Sequence, residues 1–126
     1  GYVGIDQTVP SYPLHMGSGA YCSAGGTWTN ASSLALKDNV QGLNPGAAQQ
    51  ALAELRPVTF VYKADRQEKH VGFIAEEVPE LVASRDRQGL SPMDIVAVLT
   101  KVVQEQQKTI AELSKRLEDL EKKGRE

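Results

Sequence analysis

Two serines and a lysine lie close together in the segment TNASSLALKDNVQGL, residues 29–43. A serine hydroxyl attacks a carbonyl when a base takes its proton, and a lysine amine acts as that base only while it is neutral. Burial and desolvation favour the neutral amine, whereas a lysine in water stays protonated at pH 7. Ser32 or Ser33 could therefore work with Lys37 only in a site that excludes water.

The spacing of these residues leaves several interpretations open. Ser33 and Lys37 are four residues apart and would share one face of a helix. Ser32 and Lys37 are five apart, about 140° around a helix and on opposite faces of a strand, so they meet only if the chain turns or if the lysine comes from another subunit. The commoner role of such residues is structural, with Ser32 or Ser33 capping a helix and Lys37 in solvent.

The segments that follow predict a small helix and a β-hairpin. Asn44 before Pro45 is typical of a helix start, and Pro57 ends the helical pattern. Alternation in VTFVYK (58–63) and the later KHVGFIA (69–75) predicts two strands joined by the charged turn ADRQE (64–68). AEEVPELVAS (75–84) predicts another short helix, with a polar loop after it.

From Ser91 the pattern predicts one long helix that starts at Pro92 and carries coiled-coil heptads. Such a helix extends about 45 Å, further than the preceding 60 residues could cover, so its apolar stripe favours a partner over packing on its own domain. A polar layer at Gln106 and a wider apolar face at Val102 favour three chains over two. We expect a parallel homotrimer whose seam is formed by Val96, Leu99, Val103, Gln106, Ile110, Leu113, Leu117 and Leu120.

Charged residues flank this predicted seam at positions that suit ion pairs. Glu112 with Arg116 and Glu118 with Lys122 are four apart and favour pairing within one helix. Arg116 and Glu121 occupy positions suited to pairing between chains.

Composition divides the chain into three predicted parts and excludes several classes of function. Residues 1–31 are rich in Gly, Ser, Thr and Pro and predict short strands without a core; residues 32–90 form a small globular part; residues 91–126 form the trimerisation helix. The fold class is thus α+β. The net charge is −2 and the basic residues are scattered, which predicts no nucleic-acid partner, and no apolar run is long enough to cross a membrane. A single cysteine and two isolated histidines, His15 and His70, predict no metal site, and we expect no cofactor.

Four blocks in order give the chain a specific resemblance: ASSLALKDNV, ALAELRPVTFVYK, KHVGFIAEEVPELV and LSPMDIVAVLTKVVQEQ. In this order they resemble the C-terminal intramolecular chaperone of endosialidases, an auto-processing domain. The same domain forms the C-terminal end of many phage tailspikes and tail fibres and of some bacterial surface proteins, and it occurs in the myelin regulatory factor. The resemblance implies a trimeric domain that folds an upstream β-rich fibre and then cuts itself off. It also implies action during phage virion assembly in the host cytoplasm or at a bacterial surface.

The family motif matches Ser32 as nucleophile and Lys37 as base, followed by Asp-Asn-Val. Many members carry Asp directly after the serine, where this chain has Ser33. The resemblance places the scissile bond at Ala31–Ser32 and implies that residues 1–31 are the last piece of a covalently linked upstream client. The alternative is a structural trimerisation cap that holds a fibre together and never cuts.

Overall fold

The structure, a computed structural model, describes residues 1–125 and has an α+β fold. Its N-terminal part is rich in strands, and its C-terminal part ends in one long helix. The chain divides into two compact units, the first being Gly1–Gln41 and the second starting at Gly42. The α+β expectation is therefore confirmed, while the trimeric coiled coil stays a prediction.

The first unit contains a four-stranded sheet of very short strands: β1 Val3–Ile5, β2 Leu14–Met16, β3 Tyr21–Cys22 and β4 Trp28–Thr29. In the order β1-β2-β3-β4, the first pair is parallel and the other two pairs are antiparallel. Gly19 (φ 94°) and Gly26 (φ 81°) provide left-handed turns between β2 and β3 and between β3 and β4. Within residues 1–125 the buried apolar core lies in the second unit.

The second unit opens with helix α1, Pro45–Glu54. The side chain of Asn44 caps this helix, because its Oδ1 accepts a hydrogen bond from the N–H of Ala47 at 3.0 Å. Pro45 is the first helical residue. The helix ends at Glu54, and the backbone is already in the extended conformation at Leu55, two residues before Pro57. The predicted helix and both of its end signals are confirmed.

The hairpin consists of β5, Val58–Tyr62, and β6, Asp65–Gly72, paired antiparallel. The prediction that residues 64–68 form the turn is wrong, because β6 already begins at Asp65. The connection shortens to two residues, a common hairpin length, and a register shift lies at Val61/Tyr62. The charged side chains of this segment fit a strand because residues 65–69 are exposed.

The single short helix predicted for residues 75–84 is also wrong. The chain forms two 3-10 turns instead, Ala75–Glu77 and Glu80–Val82. Pro79 separates them, because the residue before a proline avoids the helical region and Val78 is indeed extended at ψ 151°. The break still serves packing, since Val78 and Val82 are both buried in the core.

Helix α2, Pro92–Gly124, has 33 residues and a length of about 50 Å. Ser91 occupies the cap position as predicted, although its side chain makes no capping hydrogen bond. The first three turns of α2 pack against α1, which also contacts the second 3-10 turn, and the core lies among these elements. Its buried members are Ala48, Ala51, Val78, Val82, Ile95, Val98 and Val102.

Candidate active site

Ser32 and Lys37 lie on one exposed loop, residues 31–40, which follows β4 and which we call the Ser32 loop. Its centre is a 3-10 turn, Leu34–Leu36. The N–H of Leu36 donates to the carbonyl of Ser33 at 3.0 Å, and the N–H of Lys37 donates to the carbonyl of Leu34 at 3.1 Å. These two bonds reverse the chain within a few residues.

The residues on both sides of the turn have conformations that suit their side chains. Ser33 is extended and its Oγ accepts a hydrogen bond from the N–H of Ala35 at 3.3 Å, so it caps the turn. Asn39 is left-handed at φ 52°, a conformation that asparagine tolerates better than most residues. Sequence reasoning missed this second bend, although an Asp-Asn pair after the turn is a signal for it.

The turn brings the Lys37 amine onto Ser32. Lys37 Nζ donates a hydrogen bond to Ser32 Oγ at 2.6 Å, within a single chain. Of the pairings that the spacing left open, the structure therefore contains the Ser32 pairing, while the Ser33 hydroxyl is used in the cap. Among residues 1–125 no ion pair involves Lys37. Its amine therefore bonds to the Ser32 hydroxyl and not to a carboxylate.

This geometry is suited to proton transfer between a hydroxyl and an amine. A general base must lie within about 2.6–3.2 Å of the atom whose proton it takes, and the Nζ–Oγ distance meets that requirement. With a neutral amine the same contact would reverse, the hydroxyl donating and the amine accepting. Both residues are exposed in the single chain, so the distance is present while water still reaches the amine.

Ala31, the residue on the other side of the predicted scissile bond, is half-buried within the first unit. A Cβ placed on Gly19 would lie 3.7 Å from the Cβ of Ala31, so the turn between β2 and β3 lies next to the Ala31 side chain. Next to it, Trp28 Nε1 donates to Asn30 Oδ1 at 2.9 Å. The sheet and the Ser32 loop thus share one structural unit, which ends after Gln41.

The predicted seam of α2 is exposed along its whole length. Its seven apolar side chains, from Val96 to Leu120, are between 42% and 64% exposed, and Gln106 is also exposed. Val102 differs, because it is buried in the core of its own chain, so it does not widen the seam and no longer favours three chains over two. Arg116 pairs with Glu112 at 3.4 Å as predicted, whereas within residues 1–125 Glu118 and Lys122 form no ion pair.

The remaining polar candidates have local structural roles. His15 Nδ1 accepts from the N–H of Ser11 at 3.2 Å, and His70 lies against the rings of Phe60 and Tyr62. The described part of the chain contains no cluster of three or more His, Cys, Asp or Glu side chains that could hold a metal ion. Within the same residues no helix is long and apolar enough to cross a membrane.

Comparison with protein families gives one match, which starts at the proposed nucleophile. Residues 32–85 match the family model Peptidase_S74, described as chaperone of endosialidase. This match confirms the resemblance inferred from the order of the sequence blocks, and its name and description indicate a peptidase-type chaperone domain. The match ends before α2 begins and so does not extend to the long helix. Neither the curated proteins nor the solved structures give a match to the chain.

Proposed function

We propose that this chain is an intramolecular chaperone that trimerises, folds an upstream fibre or spike protein, and releases itself by cutting the Ala31–Ser32 bond. The observation that carries the proposal is the 2.6 Å contact between Lys37 Nζ and Ser32 Oγ, at the first residue of the family match. A serine and a lysine in such contact are the minimum needed for a nucleophile with its own base. The dyad acts within one chain, because both residues lie on one loop.

The proposed reaction proceeds through an ester. Ser32 Oγ attacks the carbonyl carbon of Ala31 while its proton passes to the neutral amine of Lys37. The C–N bond then breaks, and the lysine returns the proton to the leaving α-amine of Ser32. Water hydrolyses the ester between Ala31 and Ser32 Oγ, which frees an Ala31 carboxylate and restores the serine hydroxyl.

Exclusion of water from the Ser32 loop is the step that we assign to assembly. Leu34 and Leu36, on the turn between the two reacting residues, are 73% and 63% exposed. A neighbouring copy that covers these side chains would bury apolar surface and would remove water from Lys37 at the same time. The neutral amine is then favoured only in the assembled protein, so cleavage follows successful folding.

The exposed seam of α2 supports trimerisation as the assembly step. Seven large apolar side chains repeat along one helix with the spacing of a coiled coil and lie outside the chain's own core. A second function, a structural cap that trimerises without cutting, uses the same seam and differs only at Ser32 and Lys37.

A time course of the purified, newly folded chain separates these two functions. The parent chain and Ser32→Ala are compared by denaturing gel, with sedimentation to establish their oligomeric state. We expect both to form trimers and only the parent to give two fragments, the larger one starting at Ser32. A fully trimeric parent that stays intact would support the cap and refute self-cleavage.

A further inference from the structure

Ser33 stands between the proposed nucleophile and the turn that carries the base. Its Oγ accepts a hydrogen bond from the N–H of Ala35 at 3.3 Å, and its carbonyl accepts one from the N–H of Leu36 at 3.0 Å. One residue therefore fixes the start of the 3-10 turn twice, once through its side chain and once through its backbone.

The end of this turn sets the position of the base. The N–H of Lys37 donates to the carbonyl of Leu34 at 3.1 Å, and from that fixed backbone the side chain reaches back to Ser32 Oγ. A turn of three residues is marginal by itself, because few hydrogen bonds offset the cost of ordering the backbone. The capping bond is thus a substantial part of what keeps Nζ and Oγ in contact.

We infer that Ser33 is a positioning residue for self-cleavage, whose hydroxyl holds the turn that places Lys37 Nζ on Ser32 Oγ. The inference rests on the proposed function. It gives a role to a residue whose own hydroxyl takes no part in the proposed proton transfer. Ser, Asp and Asn cap helical turns about equally well, and Ala does not. Capping ability at position 33, rather than a hydroxyl as such, should therefore determine the rate.

The test is the cleavage rate after denatured chains are transferred into folding buffer, compared for the parent, Ser33→Ala, Ser33→Asp and Ser33→Asn. Because a lost cap weakens a helical turn by about 1 kcal/mol, Ser33→Ala should cut about fivefold more slowly. The Asp and Asn variants should cut within about twofold of the parent. Ser23→Ala is the matched control, since it removes a serine hydroxyl that also accepts from a backbone N–H, that of Thr27 at 3.2 Å, in the connection between β3 and β4.

Two further measurements separate positioning from folding and from proton transfer. Sedimentation should show equal trimer content for all variants, and the pH–rate curves of the parent and Ser33→Ala should have the same shape because the base is unchanged. A Ser33→Ala chain that fails to trimerise, or a curve of different shape, would overturn the positioning role.

The remaining outcomes distinguish this inference from the proposed function. If Ser33→Ala cut at the parent rate, or if the Asp and Asn variants lost as much rate as Ser33→Ala, the inference would be overturned and self-cleavage would remain intact. A parent chain that never cuts would overturn both.

Discussion

In the proposed reaction, Lys37 takes a proton from Ser32 Oγ and later returns it to the departing α-amine, and the first transfer depends on the distance between Nζ and Oγ. The 2.6 Å contact between Nζ and Oγ supplies that distance in a single chain. The loop is exposed to water in the single chain, however. A lysine acts as a base only while its amine is neutral, and exclusion of water favours that neutral form. The loop thus supplies the distance between the two reacting atoms in a single chain, whereas the proposed chemistry also needs water to be excluded from Lys37.

Replacement of the lysine tests its role as a base. Lys37→Arg keeps a long cationic side chain that can donate to Ser32 Oγ, but a guanidinium does not give up its proton in proteins. We expect both Lys37→Arg and Lys37→Ala to cut at least about 100-fold more slowly than the parent, measured by gel after a fixed folding time. Lys63→Arg, in the hairpin turn, should cut at the parent rate. Parent-like cleavage by Lys37→Arg would show that position 37 does not act as a base.

The contact between Ser32 and Lys37 was expected from the family resemblance, whereas the exposure of these residues was not expected from the sequence. Spacing alone left Ser32 and Ser33 both open, because a three-residue 3-10 turn is too short to give a periodic signal. The family resemblance selected Ser32, and the structure pairs that residue with Lys37. Solvent access at Lys37 depends on neighbouring chains, so no pattern within one sequence reports it.

Helix α2 carries two apolar faces over its first turns. Ile95, Val98 and Val102 enter the core of the chain, while Val96, Leu99 and Val103 one residue further on are exposed. Both sets follow steps of three and four, so the heptad pattern concealed the first set and led to the wrong placement of Val102. The Pro79 break was missed for a related reason, since apolar spacing in residues 75–84 suits a helix that a proline interrupts.

The core face of α2 should dominate the stability of the second unit. Val98 is 2% exposed, and Val98→Ala removes two buried carbon atoms and leaves a cavity. We expect a loss of about 2 kcal/mol in the free energy of unfolding. Val71→Ala, the same change at a side chain that is 78% exposed, should change it by less than about 0.5 kcal/mol. Urea unfolding at equal protein concentration measures both changes in the free energy of unfolding. Both substitutions are made in the Ser32→Ala chain, which is expected to stay uncut. Equal losses would contradict the described core.

An acid-sensitive contact lies further along the same helix. A hydrogen bond from Lys108, with Lys101 also near, holds the pKa of Glu105 below its ordinary value. Because the folded pKa is the lower one, this carboxylate stabilises the helix above the ordinary glutamate pKa, and the contribution is lost as the pH falls through the folded pKa. Glu105→Gln should therefore reduce the loss of thermal stability between about pH 6 and about pH 3. Glu118 lies outside the ion pairs found within residues 1–125, so Glu118→Gln should leave that loss of thermal stability unchanged. Equal effects of the two substitutions would contradict a specific role of Glu105.

At the scale of the whole molecule, the residues proposed to react and those proposed to assemble lie in different structural units. Ser32 and Lys37 belong to the unit that ends at Gln41, and the seam of α2 belongs to the unit that starts at Gly42. A substitution in the seam can therefore disrupt assembly without changing any of the residues proposed to react. If assembly supplies the water-free environment, a change in the seam should abolish cleavage although the loop itself is unchanged.

Leu113→Asp tests this coupling. It would place three carboxylates in one apolar layer of a trimer, and each unpaired buried charge costs several kcal/mol. We expect sedimentation to show monomers and gels to show an uncut chain. Ala111→Asp, with the same charge change on the outer face of the helix, should remain trimeric and should cut. Efficient cleavage by a verified Leu113→Asp monomer would refute the gating by assembly, and a fully trimeric Leu113→Asp would refute the heptad register.

The most direct test of the central claim is the mass of the chain after it has folded and assembled. Self-cleavage at the proposed bond predicts two products, residues 1–31 ending in an Ala31 carboxylate and a fragment that begins with the free amine of Ser32, with their summed mass one water above the intact chain. The Ser32→Ala chain, treated in the same way, should give the intact mass alone. An intact mass for the assembled parent, or a cut at any other bond, would contradict the account.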